Sequence, residues 1–341
     1  MDGFMSCQFA GVSWCIHSRY ELKQRIGCGG HGVVVSASDL ALRGVDVAIK
    51  RVNFNDAGQT NEARRLLREV RLMRCLNHPN VISLLNIMVP HWTREKSPLR
   101  SQDIYLVTEL MSTDLQHVLA SANKARGKFV LRPEQVQYLF YQLLCGMQYV
   151  GSAGVIHRDL KPSNLLVDLR SCQLRICDFG LARVVPKRLC SSWELNNPAQ
   201  RIKLNVQLQP ATPGSETSSK DPGCKATMTE YVVTRWYRAP EILLGDVYYG
   251  PGIDVWSIGC ILAEMLVPST GVLFQGGERR EMLVLIIRML GRPSEQELWF
   301  VSDEHALQFI QSLPSRPSET LSRRLSAGSP SPLAVRSHMP F

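Results

Sequence analysis

Closely spaced cysteine pairs are missing from this sequence. Its ten cysteines stand at 7, 15, 28, 75, 145, 172, 177, 190, 224 and 260, and no Cys-x-x-Cys or Cys/His spacing joins them. That excludes a zinc-ligand set and a dithiol redox motif. No secretory leader is expected either. Residues 1–18 mix Phe4, Phe9, Val12 and Trp14 with Asp2, Ser6, Gln8 and Ser13, without a basic start or a continuous apolar stretch. The cysteines therefore read as reduced thiols, and the chain as cytoplasmic and nuclear. The longest apolar stretch, around Ile258 to Val267, is broken by Glu264 and falls far short of the roughly 20 residues of a membrane helix. No internal repeat is evident. Acidic residues are the minority charge, 30 against 39 basic, for a net +9. Such an excess fits a phosphate-rich ligand but does not by itself indicate nucleic acid, and no membrane partner is expected.

What is present is an ordinary globular composition, 45% hydrophobic and 20% charged over 341 residues. That length suggests two domains or lobes at roughly 150 residues each. Strands are expected at Tyr20–Ile26, Val33–Ala37, Val45–Ile49, Val81–Met88 and Ile104–Leu110. A helix is expected from Asn61 to Leu76, with Ala63, Leu66, Leu67, Val70 and Met73 on one face and arginines opposite. Helices dominate from Leu115 onward, including Pro133–Tyr149 and Ile253–Leu266. The fold class is α+β, with a β-rich front lobe (20–110) behind an N-terminal lead (1–19) and an α-rich rear lobe (111–313). Two stretches read as exposed mobile chain. Residues 184–226 carry five prolines and much Ser, Asn, Gln and Thr, and 314–341 form a Ser/Pro/Arg-rich tail without an evident helix.

The chemistry begins at Gly27-Cys28-Gly29-Gly30-His31-Gly32-Val33-Val34, a G-x-G-x-x-G-x-V pattern. A dinucleotide loop uses the same glycines but opens a helix, whereas Val33-Val34-Val35 continues as a strand. The glycines let a hairpin close over phosphates with backbone N–H donors. Next comes Val47-Ala48-Ile49-Lys50, an apolar strand ending in a lysine, with Glu69 on the arginine-rich helix as its candidate partner. The decisive run is His157-Arg158-Asp159-Leu160-Lys161-Pro162-Ser163-Asn164, followed by Asp178-Phe179-Gly180. Asp159 can accept a hydroxyl proton, Lys161 can neutralise a transferred phosphoryl group, and Asn164 and Asp178 offer hard oxygen ligands for Mg²⁺.

With these residues the chain resembles the eukaryotic protein kinases from about Tyr20 to about Leu313. Ala239-Pro240-Glu241 and Asp254-Val255-Trp256-Ser257-Ile258-Gly259 match later landmarks of that family. Within it the chain is similar to the mitogen-activated protein kinases, through Thr229-Glu230-Tyr231, the following Val232 to Glu241, and Leu290-Gly291-Arg292-Pro293-Ser294. The resemblance implies a two-lobed kinase fold and an ATP- and Mg²⁺-dependent Ser/Thr kinase. The ATP site would comprise Ile26, the glycine-rich run from Gly27 to Val34, Ala48, Lys50, Thr108 at its rear, and the hinge Glu109, Leu110 and Met111. It implies activation by an upstream dual-specificity kinase at Thr229 and Tyr231, reversed by phosphatases. Arg68, Arg158 and Arg183 would receive the first phosphate, Arg235 and Arg238 the second. Arg235 further implies protein substrates with proline after the Ser or Thr.

Other readings attach to single residues. Cys177 is either a pocket thiol or a small buried hydrophobe, and Cys172 has the position of a docking-groove residue. Arg323-Arg324-Leu325-Ser326 and the Ser-Pro pairs at 329 and 331 have the form of phosphosites. Four departures from the family pattern stand out. Asp178 and Glu241 lie 63 positions apart, about twice the family's spacing, with the excess in 184–226, which holds six basic and three acidic residues. Beyond Pro314 the further rear-lobe helices are not recognisable, so the rear lobe reads as truncated and Glu241 as lacking its arginine partner. His31 and Gly151 replace an aromatic and a histidine. Two alternatives remain beside the active kinase: a catalytically weak decoy or scaffold, which the incomplete rear lobe favours, and a cyclin-dependent-like proline-directed kinase, which Tyr231 opposes.

Overall fold

Alternation between Tyr20 and Phe54 decides the front of the molecule. Val35, Ala37, Val47 and Ile49 are buried at every second position, while Val34 and Ala48 between them are only half-buried. In the computed structural model, residues 3–29, 32–54, 60–90, 102–124, 131–185, 235–245, 249–268, 271–301, 303–317 and 321–327 are described. The chain divides into two compact units. One comprises Met1–Asp114, Tyr141–Val150 and Asn164–Ala182; the other comprises Leu115–Phe140, Gly151–Ser163 and Arg183–Phe341.

The first unit is built on a five-stranded antiparallel sheet. Its strands are β3 (Tyr20–Gly29), β4 (Gly32–Asp39), β5 (Val45–Phe54), β6 (Leu84–Met88) and β7 (Gln102–Glu109), in the order β3-β4-β5-β7-β6. The register aligns Val35, Ile49 and Val107 in one row and Val34, Lys50 and Leu106 in the next. Strand parity therefore puts the core and Lys50 on opposite faces. The core face is covered by a hairpin, β1 (Phe4–Phe9) and β2 (Val12–His17), turning through Ala10 and Gly11 at φ +53° and +77°. Trp14 and Ile16 pack there with Val35, Ala37, Val47, Ile49, Tyr105 and Val107. Burying each of these valines and isoleucines is worth about 1.5–3 kcal/mol. The stretch predicted as a plain N-terminal lead is thus a structural hairpin. The predicted strand over Val81–Met88 shortens to β6, because Val81 instead bridges Ile176 in parallel.

Helix α1 (Thr60–Cys75) buries Leu66, Glu69, Leu72 and Met73. A smaller sheet joins β8 (Thr113–Asp114), β10 (Leu165–Asp168) and β11 (Gln173–Ile176). The turn between the last two places Cys172 at φ +54°, where its carbonyl accepts from Gln142 Nε2 at 2.8 Å. Asn80 Nδ2 donates to Gln142 Oε1 at 3.0 Å and to the Leu174 carbonyl at 3.1 Å, so this polar network is satisfied inside the unit.

The second unit is helical. It holds α2 (Leu115–Lys124), the start of α3 (Pro133–Ser152), α4 (Pro240–Leu243), α5 (Gly252–Leu266), α6 (Arg279–Leu290), α7 (Glu304–Ser312) and α8 (Leu321–Ala327). Strands β9 (Val155–Ile156) and β12 (Arg183–Val184) pair antiparallel. Ile287, Leu298, Val301 and Ile310 form a core under Phe300, Leu307 and Leu313. Asp303 Oδ1 caps α7 by accepting from His305 N at 2.9 Å. Arg292 closes the far end of α7, donating to the carbonyls of Gln311 and, at 3.2 Å, of Leu313. Helix α8 corrects the reading of 314–341 as a tail without a helix: Leu321 and Leu325 stand one turn apart on it. Most of 184–226, together with Ser329 and Ser331, lies outside the described residues.

Candidate active site

Lys50 leaves the sheet on the face opposite the hairpin, and Glu69 reaches it from α1. Lys50 Nζ donates to Glu69 Oε1 at 2.9 Å and Oε2 at 3.1 Å. Burial alone would lower the lysine, but the negative charges of Glu69 and Asp178 outweigh it and hold Lys50 above its ordinary value. The ammonium stays charged across the neutral range. The same face presents Val34, and Ala48 directly opposite Thr108 across β5 and β7. Gly27, Cys28 and Gly29 pair with Val34, Val33 and Gly32, so the glycine-rich run is a strand hairpin as expected, and its tip, Gly30 and His31, lies outside the described residues. Gly32 has no room for a side chain. At φ +114° an added Cβ would sit 2.0 Å from the Arg51 carbonyl.

Asp178 follows β11 in the left-handed region, φ +65°, a conformation costly for a residue with a side chain. Its Oδ1 accepts from Gly180 N at 3.3 Å. Cys177 N donates to the Asn164 carbonyl at 3.0 Å, which keeps the two oxygen-bearing segments adjacent. Arg68 of α1 donates to the Gly180 carbonyl at 2.6 Å, so one helix holds both Lys50's partner and the turn after Asp178. Burial, reinforced by Asp178's charge, pushes the Cys177 thiol well above its ordinary value. Protonated, it behaves as the small hydrophobe rather than the reactive pocket thiol.

In the second unit, Lys161 Nζ lies 3.0 Å from Asp159 Oδ2. The loop before them is clamped from beneath. Asp254 of α5 accepts from His157 N at 2.7 Å and Arg158 N at 2.8 Å, and His157 is fully buried. Burial raises the Asp254 carboxyl, while His157 and the two donated backbone bonds pull against the rise. Arg158 holds φ +72°, its guanidinium 5.2 Å from the Tyr249 ring. Arg183 faces Ile156 across β12 and β9.

The segment from Arg235 to Ala239 is fixed at several points. Arg235 donates to the Gly277 carbonyl at 3.3 Å, and Trp236 Nε1 to the Gly276 carbonyl at 3.1 Å. Tyr237 is buried, donates to Glu264 Oε2 at 2.6 Å, and its carbonyl accepts from Ser257 at 2.7 Å. Arg238 and Glu241 each take part in a further polar or electrostatic interaction, so Glu241 is not the unpaired carboxylate expected. Thr229 and Tyr231 lie outside the described residues.

Sequence reading missed two features of the first unit and one of the second. Glu109 of the expected hinge accepts from Arg175 Nε through both carboxylate oxygens at 3.1 Å, and from Ser83 N at 3.1 Å. Tyr105 OH accepts from Cys15 N at 3.0 Å, and burial pushes the phenol up to about 12. The third is the Tyr237–Glu264 pair. All join residues far apart in sequence, and no spacing announces them.

The chain matches the protein kinase domain family over residues 20–199 and 213–328. That match passes Leu313 and runs over α8, and its break falls inside the long segment after β12. The sequence is 39% identical to mitogen-activated protein kinase 5 of Oryza sativa subsp. indica over 295 residues, 86% of this chain. It is 38% identical to mitogen-activated protein kinase hog1 of Botryotinia fuckeliana, over 97% of this chain and 76% of that protein. Extracellular signal-regulated kinase 1 of Dictyostelium discoideum is 36% identical over 96% of this chain. The chain spans 66% of the rice protein's length and 53% of the Dictyostelium protein's. By its domain match and these relatives, the chain belongs to the protein kinase family and, within it, to the mitogen-activated protein kinases.

Proposed function

We propose that the chain transfers the γ-phosphoryl group of ATP to serine or threonine followed by proline, and that phosphorylation of Thr229 and Tyr231 switches it on. The observation that carries the reading is Lys50 held by both oxygens of Glu69, under the charge of Asp178, and paired across the sheet with Val34 of the glycine-rich run. A buried lysine kept cationic in this way is a phosphate anchor. Lys50 aligns the nucleotide phosphates while Asp159 accepts the proton of the substrate hydroxyl, whose oxygen bonds to phosphorus as ADP leaves. Lys161, 3.0 Å from Asp159, offsets the charge on the moving phosphoryl group.

Asn164 and Asp178 fit Mg²⁺, which takes one or two protein oxygens and completes its shell with phosphates and water. Among the described residues no cluster of three or more metal-ligating side chains competes with that arrangement. When bound, Mg²⁺ supplies charge neutralisation for the phosphates. An upstream dual-specificity kinase and phosphatases would set the phosphorylation of the loop, in cytoplasm and nucleus. Arg68, Arg158, Arg183, Arg235 and Arg238 would receive the phosphates. Arg235 would leave the Gly277 carbonyl, a weak neutral acceptor, for a dianion.

The test is phosphate transfer from ATP to a Ser-Pro peptide by the chain phosphorylated at Thr229 and Tyr231. Transfer is expected to fall about 10²–10⁴-fold with Asp159→Asn. Wild-type transfer no faster than that variant's would leave the decoy or scaffold reading in its place.

A further inference from the structure

Helix α1 has a second face that phosphate transfer does not use. Its inner side buries Leu66, Glu69, Leu72 and Met73. Its outer side carries Arg64, Leu67, Arg71 and Arg74, at steps of three and four residues and so in one stripe. All four are exposed, Leu67 by 50%. Arg68 lies beside them but is occupied by the Gly180 carbonyl. Among the described residues, Arg64, Arg71 and Arg74 make no ion pair or other polar contact. No acidic residue stands three or four positions from any of the three, since Glu62 and Glu69 fall on the other side of the helix. Stacking like charges at this spacing weakens a helix. The sequence keeps the arrangement, and places an exposed leucine in the middle of it.

We infer that this stripe is a docking surface for an acidic, extended segment of a partner protein carrying one bulky apolar side chain. Arginine rather than lysine suits bidentate capture of carboxylates, and Leu67 gives the apolar side chain a seat. The stripe is about 15 Å long at 1.5 Å per residue. An extended peptide covers that with about five residues, its acidic side chains spread along the length. A single phosphate would engage only one end. The occupant would brace the helix whose inner face holds Glu69 against Lys50. The surface stands whether or not the kinase reading does, because its test reads binding.

The probe is a fluorescein-labelled eight-residue peptide, acidic at every position except a central leucine, titrated against the full chain by anisotropy. Expected is saturable binding that weakens as salt rises, falls tenfold or more with Arg71→Glu, and falls about threefold with Leu67→Ser. Arg65→Glu, on the flank of the helix, should bind as wild type does. Hydrogen exchange across α1 should slow in the bound chain. Melting temperatures are measured beside each titration, and Arg74→Glu replaces Arg71→Glu should the latter melt low. The inference is overturned if both stripe variants bind like wild type. It is equally overturned if phosphatidylserine vesicles or a single-stranded oligonucleotide of equal charge bind and the peptide does not.

Discussion

Each unit buries a glutamate to the same depth, and the two are handled in opposite ways. Glu69 and Glu264 are both 7% exposed. Glu69 is met by an ammonium that donates to both its oxygens. Glu264 is met by the Tyr237 hydroxyl, and no cation offsets its burial among the described residues. Desolvation therefore raises the Glu264 carboxyl, and burial with the neighbouring glutamate raises the Tyr237 phenol. A charged pair that a phosphate can approach is a working group. A buried carboxyl met only by a donating phenol is a strut, here fixing the segment that includes Arg235 and Trp236.

The largest effect should come from breaking the charged pair on one side only. Glu69→Ala leaves Lys50 buried without its partner and should cost about 3 kcal/mol, the low end for a broken buried pair because Lys50 keeps 20% of its side chain exposed. Lys50→Met combined with Glu69→Leu should recover most of that stability in a denaturant titration yet none of the activity. Next in size is Gly32→Ala, whose Cβ meets the Arg51 carbonyl. It should raise KM for ATP and lower the melting temperature, whereas Gly252→Ala, open on all sides, should do neither.

On the Tyr237–Glu264 pair, Tyr237→Phe strands the Glu264 carboxyl and should cost about 1–3 kcal/mol. Glu264→Gln keeps a partner for the hydroxyl and should stay within about 1 kcal/mol of wild type at neutral pH. The smallest expected effect is a slope. In the unfolded chain a glutamate releases its proton near about 4.3. In the fold Glu264 holds it to higher pH, so its contribution is full below that value and fades as pH rises through the folded one. Asp39 runs the other way. Its bond to Arg19 lowers it, so its contribution is present above about 3.9 and is lost in acid. Melting temperature against pH should therefore decline on both sides, and Glu264→Gln should flatten only the alkaline limb.

The two glutamates also mark where the sequence is legible. Lys50 ends an alternating strand, and Glu69 lies on a helix with a clear period, so local pattern suggested the pair before any geometry was known. Glu264 sits between Ile261 and Met265 on a helix buried on more than one side, and its partner is 27 residues upstream. The N-terminal hairpin was legible but passed over: Val12, Trp14 and Ile16 alternate after the Ala10-Gly11 turn. Asp254 was visible as a landmark, whereas its grip on the His157 and Arg158 amides was not, because backbone donors carry no sequence signature.

The central claim is that the Lys50–Glu69 pair works and the Tyr237–Glu264 pair supports. It is tested most directly by transfer from ATP to a Ser-Pro peptide, comparing Glu69→Gln with Glu264→Gln, two changes that each replace one carboxylate oxygen. The account predicts a loss of about 10²-fold or more for Glu69→Gln and less than a few-fold for Glu264→Gln, with both variants folded at the assay temperature. Equal losses, or full activity in Glu69→Gln, would contradict it.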